Sequence, residues 1–234
     1  MYPKIKETQS VIPKASDTVR FSFMITYTIM LTTATITIIE ALRTNVPEVR
    51  HVLNLETCIS LVAGYYYGIF ISKVENGGKP IDWSEITKLR YVDWCITTPM
   101  MLITLCLVLK INSKKSLHLT TMLSIIALNY MMLFIGYWGV INPSMKSIAM
   151  IGGFIPFTLM FYLVYKNFYS NGSKEMNANK VLFWLYFVIW AMYGIVYMFP
   201  EIYKNICMNV LDLTAKCLIG LGLWVYYTKI IDKF

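Results

Sequence analysis

Two ionisable residues lie inside an apolar stretch near the C-terminus, Cys207 to Tyr227: Asp212 and Lys216. A stretch of this length crosses a hydrocarbon layer of roughly 30 Å as a helix, and a charge near its centre costs about 2.5–3.5 kcal/mol, so each group needs a partner. Spaced i and i+4, the two share one helix face, close enough for the carboxylate to stabilise a cation on the lysine nitrogen. Two chemistries fit. One is a structural ion pair that lets a polar face pack in a bundle. The other is a lysine joined to a carbonyl cofactor as a Schiff base, with Asp212 as part of its counterion.

A second cluster occupies another apolar stretch. Arg90, Asp93 and Thr97 are spaced i, i+3, i+7 and form one polar stripe on a helix whose other faces are apolar. Asp93 and Asp212 supply two negative charges, Arg90 and a protonated lysine nitrogen two positive ones. Such mutual compensation is what a buried cation, held and switched, would need. Pro99 lies well inside the same stretch, where neighbouring helices and Thr hydroxyls can satisfy the freed carbonyl and a kink is expected.

The elements that must position these residues are membrane-spanning helices. Hydrophobic residues make up 57% of the chain and charged residues 15%, with a mean hydropathy of +0.55, which excludes a soluble domain. Apolar segments long enough to span occur at Phe21–Leu42, Leu53–Ser72, Ile86–Leu109, Leu117–Trp138, Ser147–Tyr165, Val181–Phe199 and Ile206–Tyr227. The expected fold is an all-α, seven-transmembrane-helix bundle, with residues 1–234 forming one membrane domain. Met1–Asp17 lacks the apolar core of a signal peptide. The net charge of +8 is spread over the loops rather than along one stripe, so lipid headgroups rather than nucleic acid are the expected partner.

With the N-terminus outside, basic residues beyond the buried clusters divide ten to nine between the cytoplasmic and outer sides. The basic connections after spans three and five favour that orientation. The five cysteines show no metal-ligand or CxxC spacing, and His51 and His118 sit at span ends, so no metal site and no disulfide framework is expected.

These motifs resemble those of the microbial rhodopsins, seven-helix retinal proteins, over nearly the whole chain. The resemblance rests on Arg90-Tyr91-Val92-Asp93-Trp94 with Thr97-Thr98-Pro99, on Trp190-Ala191-Met192-Tyr193, and on Leu211-Asp212-Leu213-Thr214-Ala215-Lys216. It implies that Lys216 carries all-trans retinal as a Schiff base. Asp93 would be primary counterion and proton acceptor, Asp212 second counterion, Arg90 the extracellular gate and Thr97 the hydroxyl partner of Asp93. Trp94 and Trp190 would wall a flat slot lined by Thr98, Met101, Met132, Gly136, Tyr193 and Tyr197.

Two departures carry information. Gly194 stands where many relatives have proline, so helix six is expected to bend differently. Thr104 stands where outward proton pumps carry an acidic donor, and a threonine hydroxyl cannot donate a proton near neutral pH.

Loss of that donor suits a channel or a sensor better than a fast pump. Glu40, ending helix one, and Glu56, beginning helix two, are expected to meet at a cytoplasmic pore mouth. Asn54, Ser60 and Asn129 would continue the path, and the carboxylates would attract cations. The viral branch of the family, parts of which act as light-gated cation channels, is similar in keeping the helix-three Asp while replacing the donor. The sequence thus reads as a photoreceptor rather than an enzyme, most simply a light-gated cation channel. Slow outward proton pumping and sensory signalling are the alternatives. Its partners would be the bilayer, protons or small cations, and further copies of itself, although no small-xxx-small signal marks a lipid-facing surface.

Overall fold

The computed structural model describes residues 17–75, 80–114, 116, 118–168 and 174–228. The N-terminal segment before Asp17, Leu117, and the loop or terminal lysines Lys79, Lys115, Lys229 and Lys233 invoked for orientation lie outside the described residues. Seven helices form: α1 (Asp17–Arg43), α2 (Pro47–Val74), α3 (Trp83–Ser113), α4 (Leu119–Ile141), α5 (Lys146–Phe168), α6 (Lys174–Val196) and α7 (Glu201–Thr228). There is no strand among the described residues. All seven are long and apolar enough to cross a membrane.

Local chemistry sets the ends. Pro47 begins α2, where its missing N–H costs nothing. The Asp82 carboxylate caps α3 by accepting the Glu85 N–H at 3.0 Å, and Lys114 closes that helix in a left-handed conformation at φ 52°. In α1, Thr26, Thr28, Thr32, Thr35 and Thr37 each donate to the carbonyl four residues earlier, which satisfies their hydroxyls within the helix.

Large apolar side chains such as Phe21, Leu42, Phe134 and Ile151 face outward, as a lipid-facing surface requires. Inside, one core fills the space among α3, α5, α6 and α7, and a second binds α1 and α2 to α3 and α7. The α1–α2 contact uses Gly64 and Gly68, a small-xxx-small pair that the sequence reading passed over. Cβ atoms there would lie 3.2 Å from Leu31 and 3.6 Å from Tyr27, so this pair serves packing within the chain.

Two expectations need correction, the start of α2 and the meeting of Glu40 with Glu56. Helix α2 starts at Pro47, not Leu53, so Glu56 lies deep in the helix and is 2% exposed. Glu40, with its side chain 18% exposed, pairs instead with Arg43 at 3.8 Å. The two carboxylates therefore do not form a shared mouth. Pro99 sits within α3, and the carbonyl it frees, that of Cys95, is satisfied by a neighbouring helix, accepting from the Tyr130 hydroxyl of α4 at 3.1 Å. Gly194 lies within α6, which runs on to Val196, and its absent side chain admits Phe154: a Cβ there would lie 2.7 Å from that ring.

Candidate functional site: a charged cluster at the end of an apolar slot

The polar stripe of α3 faces α7. Midway along α7, Leu213–Leu218 forms a wide π-type turn containing Lys216. Lys216 Nζ lies 2.6 Å from Asp93 Oδ2 and 3.6 Å from Asp212 Oδ1, and all three groups are buried. Arg90 completes the cluster from the other side, with Nη1 3.1 Å from Asp212 Oδ2. Two positive and two negative groups thus meet away from bulk solvent, the arrangement in which burial is tolerable.

Further residues hold Asp212 and Arg90 in place. Asp212 accepts from the Tyr193 hydroxyl at Oδ1 and the Tyr67 hydroxyl at Oδ2, both at 2.8 Å. The Arg90 guanidinium donates to the side-chain carbonyls of Asn205 and Asn209 and to the Tyr67 oxygen. It also lies 5.0–5.6 Å from the ring centres of Phe23, Tyr67 and Phe70, within cation–π range. Asn209 in turn donates to Ser22 of α1 at 2.9 Å.

Sequence reading missed Tyr67, Asn205 and Asn209. Asn205, Asn209, Asp212 and Lys216 follow i, i+4, i+7, i+11 spacing, the same rule that exposed the stripe on α3. Tyr67 ends a run of three tyrosines, and only the fold distinguishes it from its neighbours.

A slot with mainly apolar walls leads away from Lys216, the lining usual for small-molecule sites. Trp94, Thr98, Met101, Met132, Gly136, Trp190, Tyr193 and Tyr197 all line it. Helix α5 adds Met150, Gly153, Phe154 and Phe157, none of which the sequence had indicated. Close approach explains Gly136, whose Cβ would lie 2.7 Å from the Tyr91 hydroxyl, while the Tyr197 hydroxyl donates to its carbonyl at 3.1 Å.

The slot suits a long, flat, apolar group tethered at Lys216. Its walls are aromatic rings and methionines, its closed end is a single amine, and Asp93 Oδ1 beside that amine has no protein partner.

Other expected site residues divide by position. Thr97 donates to the Asp93 main-chain carbonyl at 2.9 Å, the usual back-bond of a helical threonine, and not to its carboxylate. Asn129 is buried and donates to Thr98 Oγ1 at 2.8 Å, so it backs a residue of the slot wall rather than joining a path with Glu56. Asn54 faces outward on α2, exposed and away from the interior. Ser60, Thr104 and Glu56 are all buried, each with a side-chain oxygen lacking a protein partner. Among the described residues no cluster of three or more His, Cys, Asp or Glu could hold a metal, and all five cysteines are free.

The family described as bacteriorhodopsin-like protein matches residues 17–230. Bacteriorhodopsin of Halobacterium salinarum is 25% identical over 199 residues, covering 76% of this chain and 71% of that protein. Among solved structures, the viral rhodopsin OLPVRII superposes with a TM-score of 0.84 at 42% identity, over 92% of this chain and 99% of that one. Xanthorhodopsin, described as a light-driven ion pump with dual chromophore, shares the fold with a TM-score of 0.75 at 20% identity, over 92% and 94% of the two chains. The chain is an integral, multi-pass membrane protein and belongs to the bacteriorhodopsin-like family of microbial rhodopsins.

Proposed function

We propose that the protein is a retinal-binding, light-gated cation channel whose path follows the seam between α1, α2, α3 and α7, with the N-terminus outside. The observation that carries this reading is a column of buried polar groups along that seam. At the Arg90 end it comprises Ser22, Asn205, Asn209, Tyr67 and Arg90; at its middle Asp93, Asp212 and Lys216; beyond them Thr33, Ser60, Glu56, Thr104, Thr37 and Thr57. Ser22 to Thr37 on α1 and Asn205 to Gly220 on α7 each rise roughly 22 Å, most of a hydrocarbon layer about 30 Å thick. The core among α3, α4, α5 and α6 is mainly apolar, with Thr98, Asn129 and Asn179 as scattered buried polar groups rather than a column.

Retinal bound at Lys216 would supply light absorption, a change of shape and a proton-bearing nitrogen. The protein's residues do the rest. Asp93, nearest the Lys216 nitrogen and with one oxygen unengaged, is placed to take a proton from it at Oδ1 or Oδ2. Asp212 is occupied by two tyrosines and Arg90, so it keeps its charge and holds the guanidinium. That guanidinium plugs the column and repels cations until its hold is loosened. Glu56 provides a carboxyl on the far side of Lys216 that Thr104 cannot provide.

Glu56 also supports a second reading, slow outward proton transport, because a buried carboxyl there can return a proton toward Lys216. Whole-cell photocurrent against voltage separates the readings. A channel current reverses at the permeant ion's equilibrium potential, a pump current keeps one direction, and a sensor passes almost none. Current of one sign across a wide voltage range would overturn the channel reading.

A further inference from the structure

We propose that Gly220 is a positioning residue: its missing side chain forms the seat that holds the Glu56 carboxyl against α7, one helical turn beyond Lys216. The inference rests on the reading that Glu56 belongs to the conducting seam and names what places it there.

Glycine inside a helix weakens it relative to alanine, so a buried glycine there calls for a spatial reason. Gly220 is buried within α7. A Cβ built on it would lie 2.6 Å from Glu56 Oε2, 3.5 Å from Glu56 Cδ and 3.5 Å from the Thr33 methyl. The first distance is closer than non-bonded atoms tolerate, so any side chain at 220 displaces the carboxyl. Gly222, two residues on, is the internal contrast: a Cβ there meets nothing within 4 Å. The same residue type in the same helix is therefore spatially required at one position and not at the other.

The seat fixes how far Glu56 reaches. Lys216 and Gly220 are four residues apart, roughly 6 Å along the axis, which sets the carboxyl against α7 about one turn beyond the Lys216 backbone, on the side away from Arg90. Glu56 Oε1 has no protein partner, and neither do Ser60 Oγ, one turn along α2, or Thr33 Oγ1, whose methyl borders the same seat. No cation pairs with Glu56 among the described residues, and an isolated buried charge is costly, so the seat suits a neutral carboxyl carrying its proton. Delivery of that proton toward the Lys216 nitrogen leaves a carboxylate, which regains a proton from the bulk solution at that end of the bundle.

The test is infrared spectroscopy of the full chain, with and without retinal. The Glu56 carboxyl band is assigned by its loss in Glu56→Gln. Gly220→Ala should shift that band in both forms and slow recovery after a flash by roughly tenfold or more, a fraction of what a positioned acid supplies. Gly222→Ala should do neither. Adding Gly220→Ala to Glu56→Gln should slow recovery no further, and Glu56→Asp, one methylene shorter, should relieve Gly220→Ala.

An unmoved band in Gly220→Ala, or an equal shift in Gly222→Ala, overturns the proposal. If Glu56→Gln leaves current and recovery unchanged, the role of Glu56 in the seam fails, while the band shift still decides whether Gly220 seats it. If Gly220→Ala yields no folded protein, recovery of folding in the Glu56→Asp, Gly220→Ala double variant supports the seat, and continued failure counts against it.

Discussion

Lys216 stands closer to Asp93 on a neighbouring helix than to Asp212 on its own, 2.6 Å against 3.6 Å. The difference follows from occupancy, because both Asp212 oxygens are engaged by tyrosines and Arg90, whereas Asp93 Oδ1 has no protein partner. The two carboxylates are therefore engaged differently: Asp93 contacts the amine with one oxygen left over, and Asp212 holds the guanidinium. Asp93→Asn should shift the absorption of the retinal-loaded protein to the red and abolish early proton transfer. An unchanged spectrum would show that Asp93 is not the nearest counter-charge. Lys216→Ala should give a colourless protein.

Asn209 links three helices, since it accepts from Arg90 of α3 and donates to Ser22 of α1. Asn209→Leu removes both bonds and leaves part of a buried guanidinium unsatisfied, at a cost of about 1–3 kcal/mol. Thermal unfolding should show the loss, and leak current in the dark should rise as the Arg90 plug loosens. Wild-type stability together with wild-type dark current would remove Asn209 from the plug.

Thr98 and Asn129 form the only side-chain to side-chain hydrogen bond between α3 and α4 among the described residues, and Thr98 also donates to the Trp94 carbonyl at 2.6 Å. Thr98→Val strands the buried Asn129 amide, with an expected loss of about 1–3 kcal/mol. Asn129→Leu removes the stranded group, so the double variant should lose less than the sum of the two single ones. Additive losses in thermal unfolding would mean the pair is not coupled.

At Gly194 the retinal slot and helix packing meet. Gly194→Ala places a methyl against Phe154, which must give way toward the slot, and overpacking of this kind costs about 1–3 kcal/mol. Retinal uptake by the purified apoprotein should slow and the absorption maximum should move. Phe154→Leu should restore both, and failure of that rescue would locate the effect elsewhere in α6.

How far these features were legible depended on the physical signal behind each. Arg90, Asp93, Asp212 and Lys216 announced themselves because charge inside an apolar span is costly and helical spacing places partners on one face. The same spacing would have yielded Asn205 and Asn209, but uncharged amides carry no comparable penalty and drew no notice. Glu56 was misplaced because hydropathy locates the apolar segment, whereas Pro47 and the polar first turns of α2 lie outside it and still form helix. The α5 wall was silent, since Phe154 and Phe157 are ordinary apolar residues until the bundle aims them. Tyr130 drew no reading from the sequence, and only the approach of α4 to the carbonyl freed by Pro99 gives its hydroxyl a task.

The wide turn at Leu213–Leu218 carries a consequence for the rest of α7. An uninterrupted α-helix advances about 100° per residue, so one residue absorbed in a bulge resets the phase of everything after it by that angle. Straightened, the helix could keep Asp212 beside Arg90 or Gly220 beside Glu56, but not both in the present register. The bulge is the joint at which the two halves of the seam are brought into line, and Lys216 sits inside it.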